Sequence, residues 1–96
     1  MVVEGAYEWD EAKNDQNIAK HGIDFTDVPA VSASPVLVRR DDRRRYPEER
    51  WIALGCLKTI EVVVIFTLRN ERTRIISARR ANRRERQVYR TRVEHA

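Results

Sequence analysis

The residues able to do chemistry in this 96-residue chain gather in its second half, and most are arginines. Ala78–Arg86 (ARRANRRER) holds Arg79, Arg80, Arg83, Arg84 and Arg86. Asn82 with Glu85 three residues later is a capping-box-like helix start. Arginines there lie beside free backbone N–H groups, a natural place for a phosphate. They also oppose the helix dipole, a penalty that a bound anion or Glu85 would offset. The competing reading is a solvated helix face whose arginines pair with Glu85. Strand alternation puts Arg79 and Arg80 on opposite faces unless the strand ends first. Arg39-Arg40-Asp41-Asp42-Arg43-Arg44-Arg45 is a second cluster, whose two aspartates can neutralise their neighbours. It either wraps a nucleic-acid backbone or is disordered.

Proton transfer needs another residue type. His21 is the first candidate, since histidine titrates near neutrality; otherwise it only ends its helix. Glu49, beside Arg50, is the second, or else half of a surface ion pair worth under about 1 kcal/mol. Tyr89 could stack or donate a proton, or simply pack. His95, one residue from the end, is expected to fray. Nucleotide-loop, serine-elbow, zinc-helix and paired-cysteine motifs are absent. The acids are not clustered at metal-ligand spacing, so neither metal nor cofactor is expected. Arginines with a histidine or glutamate suit metal-independent RNA cleavage. The RNA 2′-OH is an internal nucleophile. The protein need only position the phosphate, stabilise added negative charge and move protons.

Charged residues make up 35% of the chain, against about 25% in ordinary domains. The net charge of +4 is unevenly spread. Residues 1–38 hold two basic residues against seven acids, net −5, and residues 39–96 hold seventeen against eight, net +9. This split predicts an anionic partner for the second half. The longest apolar run, Val62–Phe66, is far short of the ~20 residues of a membrane span. Met1-Val2-Val3-Glu4 lacks the features of a signal peptide. The lone Cys56 cannot form an internal disulfide. These features predict one soluble cytoplasmic domain over residues 1–96, without repeats or linkers.

The elements that must position these residues follow from local signals. Tyr7-Glu8-Trp9 reads as an extended entry. Asp10 is a helix N-cap, and Glu11–His21 ends at Gly22, the preferred C′ residue. The thin apolar side of this helix is Ala12, Ile18 and Ala19, helped by Trp9. A second helix starts at Thr26, carries Val28, Ala30 and Val31, and tolerates Pro29 in its first turn. Val36–Val38 is a strand, and Arg39–Arg50 a long loop or exposed hairpin. Arg50–Leu54 is a strand closed by Gly55. Thr59–Leu68, with its continuous apolar run, is a central strand buried on both faces. Arg69-Asn70-Glu71 marks a tight hairpin before the strand Thr73–Ala78. A helix from Arg83 to about Glu94 has Val88, Tyr89 and Val93 as its core side. The expected fold is α+β, with two N-terminal helices, an antiparallel sheet of about four strands and a C-terminal helix.

Three blocks of the chain resemble the BrnT family. They are Tyr7–Lys13 with Asn17 and Lys20–Phe25, then Glu49–Gly55, then Arg74–Ala81 continuing through Arg83-Arg84-Glu85-Arg86 to Tyr89. The resemblance implies a RelE-like fold and a ribonuclease toxin of a type II toxin–antitoxin pair that arrests translation. It also implies a BrnA-type ribbon-helix-helix antitoxin, a heterotetramer and autorepression, with DNA bound only through the antitoxin. Position by position, His21 falls on the family's Lys-His-Gly histidine beside Lys20. Glu49 and Arg50 fall on its Glu-Arg pair, and Arg79 and Arg80 on its Ser-Ala-Arg block. The chemistry of these residue types, rather than the resemblance, assigns Arg79 and Arg80 to phosphate or transition-state charge, with His21 or Glu49 as base and Arg50 and Lys20 in support. Arg74, Arg83, Arg84 and Arg86 are expected to hold substrate. The expected site is an open sheet face, at the seam between the first helix's C-terminus and the Arg79–Arg80 strand end. Val31–Pro35 departs from the family in lacking an aromatic, Arg39–Arg45 in being so basic, and the hairpin turns in lacking glycine. Two alternatives remain: a non-catalytic nucleic-acid-binding module, and a basic surface that docks an acidic helical partner.

Overall fold

The computed structural model describes residues 1–94, so His95 lies outside the described residues. The chain begins with strands rather than helices. β1 (Val2–Glu4) and β2 (Tyr7–Trp9) form a hairpin that turns at Gly5, whose φ of 58° favours glycine. α1 (Glu11–His21) starts where Asp10 accepts the Lys13 N–H at 3.1 Å. It ends at Gly22, with φ 71°, whose N–H donates to Ile18 O at 2.8 Å.

The second expected helix is a 3-10 helix, Phe25–Ala33, capped by Asp24 and not by Thr26. Asp24 Oδ1 accepts from Thr26 N at 2.9 Å and from Asn14 Nδ2 at 3.0 Å. Pro29 removes an N–H inside the segment, and the buried residues Phe25, Val28 and Val31 recur every third position. Spacing of three matches the three residues per turn of a 3-10 helix.

β3 (Leu37–Arg40), β4 (Trp51–Leu57), β5 (Ile60–Arg69), β6 (Arg72–Arg80) and α2 (Arg83–Glu94) complete the chain. The six strands run in the order β1-β2-β6-β5-β4-β3. β2 pairs parallel to β6, with Tyr7 opposite Thr73 and Glu8 opposite Arg74, and the other pairings are antiparallel. The expectation of two N-terminal helices and an antiparallel sheet of about four strands is therefore corrected to a six-stranded mixed sheet. The extended entry at Tyr7–Trp9 is β2, but strands of three residues are too short to show a period-2 pattern, so β1 and the place of β2 in the sheet were not expected.

The sheet separates two apolar layers. α1 and the 3-10 helix cover one face, where Trp9, Phe25, Val62, Val64, Ile75 and Ala78 pack. The other face carries Ile52, Val63, Ile65 and Ala81, with Leu54 and Ile76 beside them. β5 is buried from Glu61 to Ile65, as expected of a central strand. α1 is held differently from expectation: Ala12, Ile18 and Ala19 are exposed, and Asn14 and Asn17 are buried. Asn17 Nδ2 donates to Ile23 O at 2.9 Å and Ala78 O at 2.8 Å, and its Oδ1 accepts from Ala78 N at 3.1 Å. One amide therefore fixes α1 to β6. On α2, Tyr89 is buried and donates to Pro35 O at 2.8 Å, while Val88 stays exposed.

Candidate nucleic-acid interface

Directly opposite residues in a strand pair share a face. Arg79 lies opposite Val63, on the α2 side, and Arg80 opposite Val62, on the α1 side. The two neighbours expected to act together are thus divided by the sheet.

Arg79 is held by a fork: its Nη1 and Nη2 donate to Glu85 Oε1 and Oε2 at 2.8 and 2.9 Å. Glu85 Oε1 also accepts from Asn82 N, and Asn82 Oδ1 from Glu85 N, both at 2.8 Å. This is the capping box read from the sequence, with a second duty. One carboxylate closes the first turn of α2 and aims the last guanidinium of the α2-side face of β6. The Arg79 hydrogen bond comes first among the causes that hold Glu85 below the usual carboxylate range. In return, Glu85 raises the pKa of Arg79. A carboxylate so committed is a weak base, and its part is to position Arg79.

Other arginines face the same space. Arg39 lies opposite Ile52, on the α2 side, and its charge reaches Glu85. Arg43's charge reaches Arg79. Arg43 is fixed by Asp41, whose buried carboxylate takes its Nε at 2.7 Å and its Nη2 at 2.8 Å. The Arg43 hydrogen bond is the main cause that draws Asp41 down to about 2. Asp41 N also donates to Arg50 O at 2.8 Å, which ties the two ends of the 41–50 loop together. A groove of about 590 Å³ opens between α2 and β3–β4. Ile52, Leu54 and Val63 form its floor, and Arg39, Arg84 and Arg92 stand on its rim.

The remaining candidates divide among three places. Asn17 is bonded to Ala78, so Lys20 and His21 end α1 on the face that carries Arg80. Lys20 is exposed and His21 half-buried, and among the described residues His21 makes no side-chain hydrogen bond or ion pair. At the other end of the sheet, exposed Glu49 pairs with Arg40 at 3.1 Å, and its backbone O accepts from Thr67 Oγ1 at 2.6 Å. Arg50 stacks over the Tyr46 ring at 4.2 Å. Arg74 sits opposite Thr67 and donates to Glu8 at 3.0 Å. Arg79 is five residues further along β6, roughly 16 Å away at about 3.3 Å per residue. Of the last group, Arg83 is exposed, Arg84 lines the groove, and Arg86 is turned back to Ala81 O at 2.9 Å.

Of the arginines expected to meet substrate, Arg84 lines the groove, while Arg79, Arg74 and Arg86 have protein partners in Glu85, Glu8 and Ala81 O. The sequence reading missed Arg43 as a fixed cation and Glu85 as the Arg79 clamp. The Asp-x-Arg spacing of Asp41 and Arg43 was the available signal. Among the described residues, no three His, Cys, Asp or Glu are grouped to hold a metal ion. None of the described helices is long and apolar enough to cross a membrane.

A family model described as "Ribonuclease toxin, BrnT, of type II toxin-antitoxin system" matches residues 9–85. No curated protein matches the chain.

Proposed function

Since the chain belongs to the BrnT family of ribonuclease toxins of type II toxin–antitoxin systems, we propose that it cuts RNA without a metal, at the Arg79 end of its sheet. The observation that carries this reading is the fork that fixes Arg79 on Glu85, at a groove whose rim carries Arg39 and Arg84. Guanidinium groups held before the substrate arrives need little reorganisation when charge develops, which is the main source of electrostatic catalysis.

The substrate phosphate lies against Arg79, with Arg39, Arg43 and Arg84 along the flanking backbone. The ribose 2′-oxygen attacks the adjacent phosphorus and the bond to the 5′-oxygen breaks. This leaves a 2′,3′-cyclic phosphate and a free 5′-hydroxyl. One proton leaves the 2′-hydroxyl and one arrives at the 5′-oxygen. His21 ends α1 on the Arg80 face, so it reaches these protons only where the substrate passes around the end of β6, a path along which Lys20 and Arg80 guide the strand. Glu49 is the weaker candidate, because Arg40 holds it at the far end of the sheet. The charge the reaction needs is supplied by arginine, which supports metal independence.

Family membership implies an antitoxin. We assign it to the BrnA type, a ribbon-helix-helix protein that forms a heterotetramer with the toxin and carries the only DNA contacts through which the complex represses its operon. The toxin acts on RNA in the cytoplasm. The test is induction of the chain alone and with the product of the neighbouring reading frame, scoring growth and RNA integrity, alongside purified protein incubated with RNA in EDTA. Cleavage that survives EDTA and ends in a cyclic phosphate is expected. RNA bound but left intact with and without divalent ions would instead identify a non-catalytic binding module.

A further inference from the structure

We propose that β3 is a docking edge, along which the antitoxin lays an extended segment of alternating apolar and acidic side chains. The inference rests on the toxin reading above and locates that toxin's protein partner.

β3 closes the sheet. One of its edges pairs with β4, and among the described residues the other carries no strand. Such an edge takes up an extended peptide through main-chain hydrogen bonds, and pockets for alternate side chains give specificity. β3 has a groove on each face. On the 3-10-helix side, a groove of about 150 Å³ is almost wholly apolar, lined by Val28, Val31, Ala53, Val64 and Phe66. On the α2 side lies the larger groove, with Arg39, Arg84 and Arg92 on its rim. Val38 is 55% exposed at the mouth of both grooves.

The register fixes what an added strand must carry. Val38 lies opposite Ala53 on the apolar side, and Arg39 opposite Ile52 on the arginine side. Successive residues of a strand point to opposite faces. A partner residue beside Val38 therefore enters the apolar groove, and the residue next to it meets Arg39. Apolar then acidic is the pattern that satisfies both. The one acid on that rim, Glu85, is already held by Arg79. A second copy of this chain is a poor occupant, since β3 paired antiparallel with itself at full overlap sets Val38 opposite Arg39 and Leu37 opposite Arg40 and brings no acid to Arg39. RNA would use the arginine rim but has no apolar side chain for the smaller groove. A segment seated here covers Arg39 and Arg84, which neutralises the toxin by occupying its substrate track.

The test uses the full chain and the protein encoded by the adjacent reading frame. Hydrogen exchange compares the free chain with the complex, and the Leu37–Arg40 amides are expected to become protected in the complex only. Val38→Asp is expected to arrest growth as the native chain does, yet to escape rescue by the partner, with about tenfold or greater loss of affinity. Leu68→Asp, at an exposed apolar residue of β5, should still be rescued. Unprotected β3 amides, full rescue of Val38→Asp, no stable complex, or β3 protection in the concentrated free chain would each overturn the proposal. A native chain that neither arrests growth nor cuts RNA would sink the toxin reading instead, and exchange in the complex would still decide the docking edge.

Discussion

Arg79 is useful because of Glu85. The carboxylate is only partly exposed and both of its oxygens accept from the same guanidinium. Glu85→Gln keeps the size and removes the charge, so the fork loosens and the α2 cap weakens. Stability should fall by about 1 kcal/mol in urea melts, and RNA cleavage should slow more than RNA affinity falls. Equal losses of rate and affinity would mean that Glu85 does not position Arg79 for the reaction. The choice of proton carrier is also made residue by residue. His21→Ala should slow cleavage by about 10²-fold or more, while Glu49→Ala, which frees only an exposed ion pair with Arg40, should leave it nearly unchanged. The reverse ranking would move the chemistry to the Arg50–Arg74 end of the sheet.

At the scale of elements, α1 is attached by hydrogen bonds where the sequence promised apolar packing. Asn17→Leu removes the partners of Ala78 N and O and of Ile23 O. Buried polar groups left without partners cost about 1–3 kcal/mol each, so thermal unfolding should shift down sharply. A variant as stable as the native chain would show that water replaces the amide. The β5–β6 hairpin tells the opposite story. Asn70 and Glu71 both adopt positive φ, 51° and 66°, as a tight two-residue turn demands. Asparagine tolerates this conformation and glutamate does not. Glu71→Gly should therefore stabilise the protein by about 0.5–1 kcal/mol in denaturant melts. The sequence marked this turn correctly, and it marked a second helix but set its cap at Thr26, where the structure has a 3-10 helix capped by Asp24.

For the whole molecule, acid should act through carboxylates whose pKa the fold depresses. Arg43 draws Asp41 down to about 2 from an ordinary 3.8. A depressed folded pKa gives stability that is present above the unfolded value and lost as pH falls toward the folded one. The melting temperature should therefore hold above about pH 4 and drop between about pH 4 and pH 2. Asp41→Asn should flatten that drop, since it removes the titrating group, and an unchanged acid limb would assign the loss to other carboxylates. Acid should also release Arg43 from the Asp41 carboxylate, while the backbone bond from Asp41 N to Arg50 O keeps the two ends of the loop together. By itself the sequence determined the charge split, the caps at Asp10, Gly22 and Asn82–Glu85, the buried run of β5 and the turn at Asn70. Each is written in residues a few positions apart, where backbone geometry and short hydrogen bonds decide. Only the tertiary structure decided that β2 joins β6 in parallel, that Asn17 reaches Ala78 and Glu8 reaches Arg74, and that Arg79 faces α2 while Arg80 faces α1. The first three join residues more than sixty positions apart, and the last is fixed by the register of β6 against β5. Strand register, in which a shift of one residue exchanges the two faces, is set by partners across the sheet and not by neighbours along the chain.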